Sequence, residues 1–282
     1  MNHITHGTVT GLSRCVHRIT APNPGVMTGP GTNSYLIGKN ELALIDPGPD
    51  IDAHVDALLA GIEQINGKLK WILCTHTHLD HSPAAAPLQA ATGATVIGMP
   101  APSNSGQDSQ FQPDLVWQDG DRLQADGFSL RAVHTPGHAS NHLCFYLEQE
   151  NWLFTGDHIM EGSTVVIVPP DGDMKAYLES LEALKLLHLT CLAPAHGHII
   201  TNPMETIEGL IRHRLGREDK VVRTMATMAA ATVEQLTEKV YDDVPAALHG
   251  IAKYSLLAHL EKLEKENRAS RQNALWALEQ GH

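Results

Sequence analysis

Residues 71–81 read Trp-Ile-Leu-Cys-Thr-His-Thr-His-Leu-Asp-His. Trp71–Cys74 is a short apolar run without a polar member, which predicts a strand buried on both faces. It empties into His76-Thr77-His78-Leu79-Asp80-His81. In a turn leaving a strand, His76 and His78 can converge on one ion while Asp80 and His81 point to a neighbouring position. Imidazole nitrogen with carboxylate oxygen suits zinc, iron or manganese; calcium and magnesium call for oxygen ligands. The bland alternative is a histidine-rich surface turn, and four ligand-type side chains in six positions make it the weaker account.

Three further segments end apolar runs in the same way. Thr135-Pro136-Gly137-His138 follows Leu130–Val133, Thr155-Gly156-Asp157 follows Trp152–Phe154, and Pro194-Ala195-His196-Gly197 follows Cys191–Ala193. Any one alone is an ordinary loop histidine or aspartate. Together with the first motif they supply the ligands that two adjacent ions require. His76, His78 and His138 would hold a first ion, and Asp80, His81 and His196 a second. Asp157 would bridge both through its two oxygens, leaving a shared position for water. Two zinc ions per chain are expected, with iron or manganese as alternatives. The histidine content (18 of 282 residues) is thereby partly explained. His134, His142, His158 and His198 lie near the motifs and are read as groups behind the ligands or on the surface, because both ligand sets are full.

The flanking sequence is layered. Ser34–Ile37 and Leu42–Ile45 enclose Gly38-Lys39-Asn40 and predict a hairpin running into Asp46-Pro47-Gly48-Pro49. Ile51–Ile65 carries helical apolar spacing closed by Asn66-Gly67. Further strands are expected at Thr95–Gly98, Ser129–Val133, His142–Tyr146, Trp152–Thr155 and Cys191–Pro194, with an amphipathic helix over Asp173–Leu187. This alternation predicts a layered α/β fold rather than a bundle. From about residue 212 the text turns helical: Ile207–Ala231, Thr232–Tyr241 and Ala246–Glu264. Thr232 with Gln235 forms a capping-box start. Lys265–Asn273 reads as turn-like and Leu275–Leu278 as a short terminal strand, which makes a small winged-helix-like appendage. Residues 1–211 are thus assigned to a catalytic domain and 212–282 to this second domain.

Composition narrows the function classes. Thirty-two acids against twenty bases give a formal net charge of −12, which argues against a broadly basic nucleic-acid binder. Residues 212–282 carry eleven Lys/Arg and ten Asp/Glu, so the acidity lies in the catalytic part. No apolar run approaches the length of a membrane span. The N-terminal residues lack the apolar core of a secretion signal, and the four cysteines stand without CxxC spacing. A cytoplasmic location is expected.

Thr75–His81 (THTHLDH), TPGH, TGD and PAHG, preceded by Ile45-Asp46-Pro47-Gly48, resemble in order the motifs of the metallo-β-lactamase superfamily. The resemblance covers roughly Val16–Thr201. It implies an αββα sandwich with the metals at the sandwich edge, and it implies that Asp46 stands behind the ligands and steadies their loops. Ala21–Tyr35, Glu161–Thr164, the helix bearing Tyr177 and Ser180, and the tail Leu248–Asn267 resemble the β-lactamase-like protein 2 group. That group carries a C-terminal winged-helix-like domain, and its animal members are described as single-strand-preferring endoribonucleases.

The first expectation for function is therefore a binuclear-metal hydrolase using a bridging hydroxide, acting as a phosphodiesterase on single-stranded RNA. The alternative is a thioesterase or other carboxylic-ester hydrolase like glyoxalase II, although that group places Gly-Gly where this chain has Ser82-Pro83. A mononuclear iron persulfide dioxygenase, reusing His76, His78, His138 and Asp157, and a non-catalytic binding module rank lower. Asp80 is expected to orient the hydroxide and shuttle a proton. Tyr177 is either a core aromatic or, if its helix faces the site, a hydrogen-bond donor to an oxyanion. Asn33 and Ser34, in a Gly/Pro-rich loop, are candidates for substrate contact as well as for a plain turn role. The partner is expected to be a small molecule or single-stranded RNA, with no membrane and no sequence-specific DNA. The winged-helix appendage is expected to pack on the catalytic part or to mediate a homodimer.

Overall fold

A computed structural model describes residues 4–103 and 105–279. The chain falls into two compact units. One comprises residues up to 135 with 141–163 and 188–203; the other comprises 136–140, 164–187 and the chain from Met204 onward.

The first unit is built from two sheets. One has seven strands in chain order: β1 (Thr10–Gly11), β2 (Val16–Thr20), β3 (Asn33–Gly38), β4 (Glu41–Ile45), β5 (Lys68–Leu73), β6 (Thr95–Gly98) and β7 (Leu115–Val116). β1 to β4 pair antiparallel and β4 to β7 parallel. The change of direction follows the connections. A tight turn joins β3 to β4, whereas α1 (Asp52–Ile65) and α2 (Ala85–Thr92) bridge the parallel pairs β4–β5 and β5–β6. The second sheet holds β8 (Arg122–Ala125), β9 (Phe128–His134), β10 (Leu143–Leu147), β11 (Trp152–Gly156) and β12 (Cys191–Pro194). Their order is β12-β11-β10-β9-β8, and the β11–β12 pair is parallel.

Period-two alternation decides which side chain faces which layer. Along β3 and β4, Tyr35, Ile37, Ala43 and Ile45 face the second sheet, where they meet Leu130, Leu143, Phe145 and Phe154. The intervening Leu36, Leu42 and Leu44 face the other way and pack with Leu58 and Ile62 of α1 and Leu88 of α2. These strands are apolar on both faces because each face has a core to enter, and no residue of β3 is exposed. The β3–β4 turn depends on Gly38. Its φ is 113°, and a Cβ there would stand 2.1 Å from the Glu41 carbonyl oxygen.

The second unit contains α3 (Met174–Leu184), α4 (Pro203–Ala226), α5 (Val233–Val240), α6 (His249–Lys265) and a hairpin of β13 (Ala269–Gln272) and β14 (Leu275–Leu278). Asp173 caps α3 by accepting from the backbone N–H of Lys175 and Ala176. Val221 and Met225 of α4, Leu236 and Val240 of α5, Leu256, Leu260 and Leu263 of α6, and Trp276 of the hairpin share one apolar core.

Several elements differ from the sequence expectation. The long helix ends at Ala226, and Thr227–Ala231 lies outside it. β13 occupies a segment read as turn because Ser270, Arg271 and Gln272 are polar; only Ala269 is buried there, so half-burial signals are nearly absent. α2 gives no sequence signal because its small side chains carry little helical periodicity. None of the described helices is long and apolar enough to cross a membrane.

Candidate metal centre

The loop leaving β5 carries four of the ligand-type residues. It is fixed by bonds that the strand ends supply. Asp46, just after β4, sits at φ 51°, a left-handed conformation unusual for a residue other than glycine. Its carboxylate accepts from the Thr75 backbone N–H at 2.7 Å and from the Thr75 hydroxyl at 2.8 Å. The same carboxylate accepts from His81 Nδ1 at 3.0 Å. A carboxylate can only accept, so Nδ1 bears the proton and His81 Nε2 presents a lone pair. Backbone bonds from Gly48 N to His81 O (2.9 Å) and from Ala84 N to Gly48 O (3.0 Å) tie this loop to the turn after β4.

Asp157 and His196 follow the neighbouring strands β11 and β12. Gly156 ahead of Asp157 has φ 48°, and a Cβ there would fall 2.5 Å from Thr75 Oγ1 and 2.7 Å from His142 Nε2. The backbone can approach the ligand loop closely because the residue is glycine. His196 Nδ1 lies 3.3 Å from the Gly31 carbonyl oxygen, which again leaves Nε2 as the lone-pair nitrogen.

These four side chains converge. His81 Nε2 lies 3.4 Å from Asp80 and 3.6 Å from Asp157, and His196 Nε2 lies 3.3 Å and 3.2 Å from the same two carboxylates. His76, His81 and Asp157 form one group of donor atoms within 4.8 Å of one another, and Asp80, His81 and His196 form a second. His76 Nε2 is 2.8 Å from His78 Nδ1, with the rings edge to face. His138 lies on 136–140 in the second unit. There its Nδ1 donates to the Val166 carbonyl at 2.8 Å, which makes Nε2 its ligand-type nitrogen.

The charges identify what the cluster lacks. Burial would strip the proton from His81, yet Asp80, Asp157 and Asp46 hold it well above the ordinary histidine value. Burial also works against a charged His196, but the attraction of Asp157 and hydrogen bonds to Asp157 and Asp80 push it up to about 10. Burial raises Asp80 and Asp157, and the facing imidazoles outweigh it, keeping both carboxyls well below the usual range. The buried His81 Nε2 and His196 Nε2 face these carboxylates at 3.2–3.6 Å. Imidazole lone pairs and ionised carboxylates around one small space fit divalent cations, which satisfy both at once.

Other expected residues play different parts. Asn33 and Ser34 are fully buried rather than open to a ligand. Asn33 Nδ2 donates to the carbonyls of Pro194 (3.0 Å) and Gly197 (2.9 Å), and Ser34 Oγ sits 3.0 Å from His54 Nε2. Asn33 is the first residue of β3, so the strand carries its side chain inward to brace the segment bearing His196. Tyr177 is also fully buried, with the Arg214 guanidinium 5.3 Å from its ring centre. His142 and His158 are buried with rings 5.9 Å apart, and His142 Nδ1 lies 2.9 Å from the Thr135 hydroxyl.

Sequence reading overlooks a support beneath the ligand loop. Asn141 Nδ2 donates to Thr77 Oγ1 at 2.8 Å, and Thr77 Oγ1 donates to Gln107 Oε1 at 2.6 Å. Ser82 Oγ donates to Asp108 at 2.9 Å. Gln107 and Asp108 sit in an irregular segment without periodicity, which gives no signal. Thr77 lies inside the motif itself and could have been singled out.

Next to His196 opens a cavity of about 690 Å³, lined by Pro24, Val26, Met27 and Pro30 and by Met160 and Glu161. Among the described residues that line it there is no Lys or Arg.

Comparison with known proteins identifies the family and the fold. Residues 27–196 match the Metallo-beta-lactamase superfamily, and residues 232–276 match the Beta-lactamase associated winged helix domain. A Beta-lactamase-like protein 2 homolog of Caenorhabditis elegans is 31% identical over 94% of this chain and 90% of its own length. Thioesterase pkgB of Emericella nidulans is 35% identical over 78% of this chain, which spans 62% of that protein. An atrochrysone carboxyl ACP thioesterase of Aspergillus chevalieri is 32% identical over 82% of this chain and 74% of its own. Among solved structures, a metallo-beta-lactamase family protein of Thermus thermophilus superposes with TM-score 0.79 over 95% of this chain and all of that one, at 23% identity. A beta-lactamase domain protein of Burkholderia ambifaria gives 0.83 over 97% and 94%, at 17% identity. The fold of the chain is the one these structures share, with a winged-helix domain at its C-terminal end.

Proposed function

The chain belongs to the metallo-beta-lactamase superfamily, and we propose that it is a binuclear zinc hydrolase acting on carboxylic thioesters or esters. One observation carries this reading: the donor groups His76/His81/Asp157 and Asp80/His81/His196 overlap, so that His76 with Asp157 can serve one ion and Asp80, His81 and His196 a second, with buried imidazole nitrogens turned towards ionised carboxylates. His78, whose Nδ1 lies 2.8 Å from His76 Nε2, would add a ligand to the first ion in this assignment. When bound, the ions supply a water acidified towards neutral pH and a Lewis acid for the developing oxyanion. The chain's own groups do the rest. Asp46 holds His81 in the tautomer that offers Nε2. Asp80, kept ionised, would accept a hydrogen bond from a water held there and so orient it.

Two observations favour an acyl substrate. Two of the relatives bear the name thioesterase, and the described lining of the cavity beside His196 offers no Lys or Arg to a phosphate chain. Cleavage of single-stranded RNA is the second reading, supported by the likeness to the Beta-lactamase-like protein 2 homolog through the winged-helix region.

Metal-quantified protein assayed on acyl thioesters, carboxylic esters and labelled single-stranded RNA tests the proposal. Two zinc ions per chain with thioester or ester turnover are expected. His76→Ala and Asp157→Ala should each lower turnover by at least a hundredfold and reduce the metal content. RNA cleavage without acyl hydrolysis would move the assignment to the second reading. One iron per chain with oxygen consumption would remove both.

A further inference from the structure

The hairpin between β2 and β3 is wired more tightly than its Gly/Pro content suggests. Gly25 N donates to Gly29 O at 3.1 Å, Thr28 Oγ1 to Asn23 O at 2.6 Å, and Thr32 N to Asn23 Oδ1 at 2.9 Å. Its base touches the metal centre at two points. Thr32 Oγ1 donates to Asp80 at 3.2 Å, and the Gly31 carbonyl receives His196 Nδ1. Its tip nevertheless holds Val26 at 83% exposure and Met27 at 52%. A rigid loop that presents large apolar side chains to water beside a reactive centre marks a binding surface rather than a random exposure.

Another part of the lining is fixed to the same centre. Glu161 contacts the His196–His198 segment: a Cβ on Gly197, which has φ 88°, would stand 2.8 Å from the Glu161 carboxylate. Met160, next to Glu161, lines the same cavity as Val26 and Met27. The space of about 690 Å³ lies within the roughly 300–1,000 Å³ usual for small-molecule sites. Glu161 and the lack of lysine or arginine among the described lining residues disfavour an anionic occupant.

We propose that this cavity is the acyl subsite. It takes the apolar chain or ring system attached to the scissile carbonyl, packing it against Val26, Met27 and Met160 and placing the carbonyl at the His196 end. The assignment rests on the hydrolase reading above and extends it to substrate class. Specificity then grows with acyl length until the cavity is filled.

The test uses zinc-loaded protein and N-acetylcysteamine thioesters from acetyl to decanoyl, together with the uncleavable S-decyl and S-ethyl thioethers as binding probes. Expected is a rise in kcat/KM approaching fourfold per methylene, the factor to which about 0.8 kcal/mol per buried CH2 converts. Met27→Asp and Met160→Asp should each lower the decanoyl-to-acetyl ratio of kcat/KM by at least tenfold and weaken S-decyl binding in calorimetry. Turnover that is flat with chain length, with both variants keeping the wild-type ratio, would overturn the subsite and leave the hydrolase reading standing. If no thioester is turned over, the probes decide. S-decyl binding that exceeds S-ethyl binding and is lost in Met27→Asp supports the subsite although the reaction reading fails. Equal or absent binding of the two probes overturns it.

Discussion

The carboxylate of Asp46 binds Thr75 through two bonds and His81 through one, from a backbone at φ 51°. Asp46→Ala removes the acceptor that fixes the His81 tautomer and frees the loop that carries His76 and His78. Metal affinity should fall about 10–100-fold, as is usual when a group behind a ligand is lost; competition against a chromogenic chelator measures it, and an unchanged affinity would separate Asp46 from the metal centre. Gly156→Ala makes a complementary prediction. Its Cβ would fall 2.5 Å from Thr75 Oγ1 at a φ of 48°, so the variant should lose on the order of 2 kcal/mol or more of stability in urea titration. The residue-level reading is most legible where a chemically conspicuous side chain follows an apolar run, as at Asp157 and His196, which the fold brings beside His81. It falters at Asn33 and Ser34, because loop composition gives no sign that β3 already begins at Asn33 and turns both side chains inward.

The elements of the C-terminal unit show the same division between local and non-local information. The capping box at Thr232 is legible because its two partners stand three residues apart: Thr232 Oγ1 accepts from Gln235 N, and Gln235 Oε1 accepts from Thr232 N. Thr232→Ala should therefore destabilise this unit by about 1 kcal/mol, read as a lower denaturant midpoint without a change in slope. The ion cluster that joins α4 to α6 and to Arg268 is not legible, since its members are far apart in sequence and ordinary singly. Glu218, almost fully buried, receives Lys262 Nζ at 2.8 and 3.0 Å and Arg268 at 2.9 Å, with His259 Nδ1 at 3.6 Å. Burial raises its carboxyl, but the facing His259 and the hydrogen bond and charge of Lys262 bring it down to about 2 from 4.5. A folded value below the unfolded one means that its stabilisation is present in full above about pH 4.5. It is lost as pH falls towards 2. Amide exchange in α6, corrected for intrinsic rates, should lose protection over that window. Glu218→Gln should be less stable at neutral pH and show a flatter acid response; parallel profiles for the two proteins would refute the role.

At the scale of the molecule, β3 and β4 serve two cores: Leu36 and Ile37 face different ones. What no alternation states is how far the polar centre depends on an ion. Asp46, Asp80 and Asp157 gather negative charge beside buried imidazoles in a chain whose formal net charge is already −12. Without metal, protons on His81 and His196 compensate that charge, so zinc must displace protons to bind. Binding to the folded chain alone then stabilises it by RT ln(1 + [Zn]/Kd), about 2.7 kcal/mol at a hundredfold excess over Kd. For a chain of this length, removal of zinc by chelation should lower Tm on the order of 5–10 °C. The difference should grow with the logarithm of free zinc at pH 7.5 and shrink at pH 5.5, where protons compete better for the imidazoles. Calorimetry across a buffered zinc series checks both slopes. A Tm independent of zinc at either pH would mean that the converging side chains are not a metal centre, whatever their spacing.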